Sequence, residues 1–339
     1  LMFSCHTPEL QNSVRSLRTE WLECNGTGDY ASGTITGCNS RRYHGLLVAN
    51  LEHIGRHVLL SGLEDWLVTE NGRIPLSSRK HPNAIYPDPS GCLKTFSASP
   101  YPTFVFEGPG FRLSRSLMLV RDSHTVLIRY SLKKTDSSAP ALKCTLEATP
   151  LLAFRGYHDL THANMDLQVK TYPVWQGFKI QPYNSLPPFF MQCSGTFDFL
   201  PSPDWIYNVE YPFDQERGFD YQEDLFSPGL FEITLTPGRD VILSASTEEI
   251  LPPRGTKKTV PLREIWKKEE KEHLRGRADT ASLADFLEAQ CGVFLIRIRA
   301  VRTPFSRATT GSARGPVTRS FPCRAALFSA GASKRAWPC

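Results

Sequence analysis

Two adjacent arginines followed by a tyrosine and a histidine, Arg41-Arg42-Tyr43-His44, form the densest set of ligand-capable side chains near the start of this chain. Each guanidinium presents a rigid fork of donors, the phenol adds a flat face and a hydroxyl, and the imidazole can donate or accept. They sit in Asn25–Val48, NGTGDYASGTITGCNSRRYHGLLV, which holds five glycines and opens on Asn25 and Tyr30. Glycines permit backbone conformations that a side chain forbids. Leu46, Leu47 and Val48 read as the start of a buried strand, so a shaped polar turn is pinned to a core element. Such a turn is either a buried corner whose arginines brace loops, or a surface that meets a polar ligand or a second domain.

Two further stretches carry chemistry-bearing side chains. Leu151–Asn164, LLAFRGYHDLTHAN, groups Arg155, Tyr157, His158, Asp159 and His162 in what reads as one loop. Its histidines lack a compact ligand spacing, so hydrogen bonding is expected of them and not metal ligation. Pro203–Gly229 interleaves aromatics with Asp214, Glu216, Asp220, Glu223 and Asp224. Aromatic faces beside carboxylates suit a sugar, which has an apolar face and a rim of hydroxyls; the alternative is a solvated loop that packs its aromatics on the body. Asp220, Glu223 and Asp224 are close in sequence, but that does not fix the separation of their carboxyls, and no catalytic pair is expected there. Gly26-x-Gly28-x-x-Ala31 matches a relaxed dinucleotide fingerprint, which works only between a strand and a helix. The SGTITG that follows is unsuited to a helix, and the motif is rejected. No Walker motif, GxSxG elbow or HExxH occurs.

The elements that must position these residues read as strands. Apolar runs at Gly45–Asn50 and Val58–Val68 flank a turn, and Asn71-Gly72 marks a hairpin between Trp66–Thr69 and Ile74–Leu76. Thr103–Phe106, a Gly-Pro-Gly turn at 108–110, Phe111–Val120, Thr125–Leu132 and Leu142–Leu152 continue the meander. Gly177–Gln181, Phe189–Cys193, Trp205–Val209, Leu230–Leu235 and Asp240–Ser246 complete it. Many short strands with closely spaced turns predict a mainly β fold, an antiparallel sandwich or supersandwich. Pro261 opens a helix, its fixed φ suiting a first turn. Leu262, Ile265, Trp266 and Leu274 mark one face of it, which predicts a short helical linker toward another domain. A second helix is expected over Asp279–Gln290 and an irregular tail after it.

Of 339 residues, 40% are hydrophobic and 11% aromatic, as a globular core requires. The net charge of +5 resides in the tail: residues 291–339 hold nine Lys or Arg and no acid, and without them 30 basic face 34 acidic residues, a balance of −4. The body therefore lacks the basic field that nucleic acid requires. No apolar run is long enough to span a bilayer and no signal peptide is evident, so a cytoplasmic location is expected. Cys5, Cys24, Cys38, Cys92, Cys144 and Cys193 are scattered without a CxxC pair, which predicts reduced thiols and neither zinc nor disulfides.

The first stretch resembles the N-terminal domain of bacterial and archaeal glycogen debranching enzymes of the amylo-alpha-1,6-glucosidase type. Members typically open with Glu-Trp-Leu and an NGxGGYASGT…TRRYHGLLVA signature; this chain has Glu20-Trp21-Leu22, Asn25-Gly26, Gly28, Tyr30–Thr34 and Arg41–Ala49. It departs at Asp29, where glycine is commoner, and at Ser40, where threonine stands. The other two stretches are similar to the family's PLLAYRDYHSLTRAN and EYPxERxRGxDxxEDLFSPG text. With this resemblance the chain divides into a polar lead over 1–18, a β-supersandwich over 19–250, a helical linker over 251–290 and a frameshifted, disordered tail over 291–339. It also implies that alpha-glucan is met through a catalytic (α/α)6 barrel that this chain does not include. No cofactor and no catalytic residue is assigned within it. Asn25, Tyr30, Arg41, Arg42, Tyr43, His44, Arg155, Tyr157, His158, Asp220, Glu223 and Asp224 are then candidate substrate or domain-interface residues. Read from each codon's third base, Phe305–Ser320 can encode text like the AGYxWFxxWGRDT that opens the family's catalytic domain, with the shift between Asp285 and Thr303. Two other functions stay open: a freestanding glucan-binding module, and an aldose-epimerase-like enzyme for which His44 is the candidate. No sequence feature specifies an oligomeric state.

Overall fold

Side-chain alternation along the strands builds two facing layers. A computed structural model describes residues 4–6, 10, 13–135, 143–253 and 261–275, all within one compact unit. A nine-stranded antiparallel sheet runs β1 (Ser4–His6), β9 (Leu93–Ser97), β10 (Thr103–Gly108), β11 (Phe111–Leu119), β12 (Thr125–Lys134), β19 (Val241–Ser246), β16 (Phe189–Cys193), β15 (Gly177–Ile180) and β14 (Thr171–Val174). An eight-stranded antiparallel sheet runs β17 (Phe197–Glu210), β18 (Gln222–Leu235), β13 (Cys144–Gly156), β5 (Gly55–Thr69), β4 (Gly45–Leu51), β3 (Tyr30–Thr34) and β2 (Glu20–Cys24), with β6 (Gly72–Pro75) paired to β5. A small hairpin joins β7 (Lys80–His81) to β8 (Ala84–Ile85). Both sheets contribute to one core, in which Phe96, Phe104, Phe106, Phe111, Tyr130 and Phe231 are fully buried. The expected β-sandwich is thus the observed one.

Turn chemistry sets two of the registers. Thr69 pairs with Gly72, so Glu70 and Asn71 make the tip, and Gly72 takes φ +125°. Gly108 pairs with Phe111 across Pro109-Gly110, with φ +78° at Gly110, as a turn with proline first and glycine second requires.

Each sheet also has a covered outer face. On β12, Val126, Ile128 and Tyr130 point into the main core, while Leu127 joins a separate cluster with Tyr101, Met118, Ile242, Leu262 and Trp266. The last two residues belong to helix α3 (Pro261–Arg275), which therefore lies against its own sheet. Leu274, expected on the packed face of this helix, is instead 52% exposed. Glu269 takes its place at 2% exposure, paired with Arg121 at 3.2 Å. On the other sheet, Val48, Val58, Leu151, Ala153, Val209, Tyr211 and Leu225 form a third cluster, on which the candidate site is built.

Other boundaries also move. The polar lead includes edge strand β1 and helix α1 (Ser13–Arg18), and the loop over 81–91 includes part of the β7–β8 hairpin. Leu151–Gly156 continues β13, which puts Arg155 in a strand. Most of Pro203–Gly229 is the β17–β18 ribbon, its tip formed by helix α2 (Pro212–Glu216). The helix expected over Asp279–Gln290 and the tail over 291–339, with its frameshift, lie outside the described residues. The six cysteines before Gln290 form no disulfide among the described residues, and burial raises Cys24, Cys38 and Cys92 to about 11, which suits inert thiols. No helix among the described residues is long and apolar enough to cross a membrane.

Candidate functional site

The β3–β4 connection carries Arg41–His44 and is a tight local structure. The Ser40 N–H donates to His44 Nδ1 at 3.1 Å, and the His44 N–H donates to the Arg41 carbonyl at 3.1 Å. His44 is 3% exposed and its Nε2 lies 3.8 Å from Glu20. A histidine used in this way braces a turn. Arg41 Nε donates to Glu20 Oε1 at 2.6 Å and its guanidinium covers the Phe213 ring at 4.7 Å. The His44 imidazole, opposed by burial and reinforced by Arg41, holds the Glu20 carboxyl down at about 2.

Arg42 joins segments that are far apart in sequence. Its backbone N–H donates to Asp214 Oδ2 at 2.7 Å and its Nε to Asp214 Oδ1 at 3.3 Å. Nη1 donates to the His158 carbonyl at 2.8 Å and Nη2 to the Asp220 carbonyl. Asp220 thus contributes its backbone to Arg42, and its side chain is exposed. The Arg42 carbonyl accepts from Arg155 Nη2 at 2.9 Å.

Two bulges aim the partners beneath it. Along β13, Leu152 pairs with Leu60 and Arg155 with Val58, so Ala153 and Phe154 face one residue of β5, and Phe154 takes φ +48°. Along β17, Ile206 pairs with Leu225 and Val209 with Glu223, and Asn208 takes φ +55°. An extra residue turns the strand and redirects the side chains after it. Arg155 then meets Glu223, which accepts from Nε, from Nη2 at 2.9 Å, from the Tyr211 hydroxyl and from the Thr161 N–H at 3.1 Å. Four donors occupy the roughly four lone-pair sites of a carboxylate. Burial opposes the Arg155 charge, but Glu223 outweighs it and raises the guanidinium pKa; burial and then Glu223 push the Tyr211 phenol far up. The neighbouring Asp224 accepts from the Asn208 N–H at 2.9 Å and the Ala163 N–H at 3.0 Å. Glu223 and Asp224 therefore tie separate loops and do not form an acid pair.

Above this frame the surface is aromatic. Tyr43 Oη lies 3.1 Å from His158 Nδ1, and the Tyr43 and Tyr157 rings meet edge to face at 5.5 Å. His158 is exposed, and Phe219 is 51% exposed beside Arg42. Tyr30 supports the group from β3, its hydroxyl donating to the Tyr43 carbonyl at 2.8 Å.

Asn25 belongs elsewhere. Buried to 4%, it donates to Asp29 Oδ2 at 3.0 Å and to the Ser123 carbonyl at 3.1 Å. Asp29 also accepts from the Asn50 N–H at 2.7 Å and lies 2.7 Å from His124 Nδ1. This brace ties the glycine turn to the other sheet. Tyr211, Asp214, Asp29 and His124 were not selected from sequence as site residues. Asp214 and Tyr211 lie within the third stretch, and Asp29 stood out only as a departure from the signature.

What the geometry assembles is a buried ionic frame beneath a partly exposed aromatic surface, drawn from all three stretches. It suits holding a shape against a partner or ligand, with the buried carboxylates engaged as acceptors. Residues 19–242 match the family model described as "Glycogen debranching enzyme N terminal". Among solved structures, a bacterial glucoamylase complexed with acarbose aligns with a TM-score of 0.37 at 7% identity. The alignment covers 80% of this chain and 36% of that one, so the chain spans about a third of that protein's length. No curated protein matches.

Proposed function

The chain belongs to the glycogen debranching enzyme N-terminal family, and we propose that its β domain is the non-catalytic partner of an alpha-1,6-glucosidase barrel, packing on that barrel and shaping access to it. The observation that carries this reading is the convergence of residues 25–48, 151–164 and 203–229 on Arg42. That arginine bridges Asp214, the His158 carbonyl and the Asp220 carbonyl. Glycoside hydrolysis needs two carboxyl groups set on either side of a sugar. Glu223 and Asp224 serve as loop ties, so the bond-breaking acids come from chain outside this frame. Tyr43, Tyr157, His158 and Phe219 form the docking face. On this reading the β domain ends near residue 250, and α3 fixes the direction in which the following chain leaves.

The test is association in trans with the helical catalytic domain of a family member, followed by size exclusion. Co-elution with the wild-type chain, lost when Tyr43→Ser and Phe219→Ser are combined, is the expected result; co-elution that survives the pair contradicts the reading. A freestanding glucan-binding module is the second reading, favoured by the aromatics beside carboxylates in 203–229. It predicts strong retardation of this chain alone in a glycogen-containing gel.

A further inference from the structure

The last turn of α3 reaches a sheet other than the one the helix lies on. Leu262 and Trp266 seat the helix on the outer face of the nine-stranded sheet, against Met118, Leu127 and Ile242. His273, one turn before the end of the helix, instead meets β2, the end strand of the eight-stranded sheet. Exposed and buried residues alternate along β2, so Glu23 shares the covered side with Trp21. The Glu23 side chain is 10% exposed and that of His273 15%. His124, on the β11–β12 turn, makes a second link from the nine-stranded sheet to the same hairpin, through Asp29 on the β2–β3 turn.

Both ring nitrogens of His273 face acceptors. Nδ1 lies 3.0 Å from the Glu269 carbonyl oxygen and Nε2 2.5 Å from Glu23 Oε1. A neutral imidazole has one N–H and an imidazolium two. One proton held by the pair, on Nε2 or on Glu23, therefore completes both bonds. Without it, two lone pairs oppose each other on one side of the ring or the other, in a place largely covered from water. The surrounding groups keep their charge state near neutral pH. Glu269 and Glu272 pair with Arg121 at 3.2 and 3.5 Å, and Glu270 accepts from the Tyr101 hydroxyl at 2.6 Å. The Tyr101 ring lies 6.3 Å from that of His273, and Cys24 follows Glu23 along β2. Burial, aided by the Glu270 hydrogen bond, holds the Tyr101 phenol up at about 12, and burial, aided by Glu23, holds the Cys24 thiol at about 11. Within this set the imidazole is the group whose proton changes near neutral pH.

We propose that His273 and Glu23 form a proton-operated latch: with its proton the pair holds the last turn of α3 across the gap onto β2, and without it that turn lets go while the Leu262–Trp266 end stays seated. The latch is closed at acid to neutral pH and opens as pH rises. Leu274, in the same turn, is 52% exposed and so adds little apolar burial to hold it. The device concerns α3 and β2 alone, and it stands whether or not the exposed aromatic face docks a barrel.

Amide hydrogen exchange of the full chain, read by mass spectrometry at about pH 6 and about pH 9 and corrected for intrinsic rates, tests it. Expected in the wild type is protection over 269–275 about tenfold lower at the higher pH, the effect of one charge-assisted hydrogen bond, with a smaller change over β12. His273→Gln keeps a donor for Glu23 but has no proton to lose, so its last turn should show no such pH dependence. Glu23→Gln, whose amide can turn to donate to a neutral ring, should behave alike, and His124→Gln should keep the wild-type response. Equal protection of 269–275 at the two pH values in the wild type would overturn the proposal. So would a tenfold fall that persists in both His273→Gln and Glu23→Gln, or one that is as large over β12.

Discussion

At Arg155 two charges are held out of water together, with the arginine side chain 3% exposed and Glu223 fully buried. Removing one member of such a pair strands the other and costs about 3–5 kcal/mol. Arg155→Met is therefore expected to lower unfolding free energy by that amount in urea titration. The double variant Arg155→Met with Glu223→Met should recover part of the loss, since it leaves no stranded charge. A second residue-scale effect depends on pH. The hydrogen bond that His124 donates to Asp29 raises the His124 pKa above 6.5 against the opposing effect of burial. A raised folded-state value gives stability that is complete below 6.5 and lost as pH rises through the folded value. His124→Gln should flatten the alkaline side of a melting-temperature profile in that window. For Glu20, lowered from 4.5 to about 2, the sign reverses. Its contribution is present above 4.5 and lost as pH falls toward 2, and Glu20→Gln should flatten that acid limb.

Among elements, α3 tests whether the sandwich ends at residue 250. Trp266 is 2% exposed, lies 5.5 Å from the Tyr101 ring and carries Arg129 over its face at 4.5 Å. Truncating a buried tryptophan costs about 3–5 kcal/mol, so Trp266→Ala should shift the chain's melting temperature down sharply. A helix that merely bridges domains would show almost no shift. Elements were legible where local chemistry decides them. Asn71-Gly72 and Gly108-Pro109-Gly110 announced their hairpins, and Pro261 announced α3. Elements were misread where tertiary contacts decide them. The bulges at Phe154 and Asn208 break the period-2 pattern, so the end of β13 and much of the β17–β18 ribbon read as loops. The docked face of α3 includes Glu269, which helical spacing places seven residues after Leu262 on the same side but whose charge reads as solvent-facing. The candidate residues were found because their types are unusual, but their partnerships were not, since Arg155 and Glu223 are 68 positions apart and Arg42 and Asp214 are 172 apart. No spacing rule reaches that far.

For the whole molecule, the buried polar residues act as structural ties between the three stretches, and the exposed aromatics give the joined stretches an outward face. On the proposed reading, scaffold and access fall to the β domain and hydrolysis to a partner domain. The most direct measurement is glucose release from a phosphorylase limit dextrin by the purified chain alone. The account predicts none above the buffer blank. Steady release that disappears in Glu223→Gln, with the fold intact by circular dichroism, would contradict it.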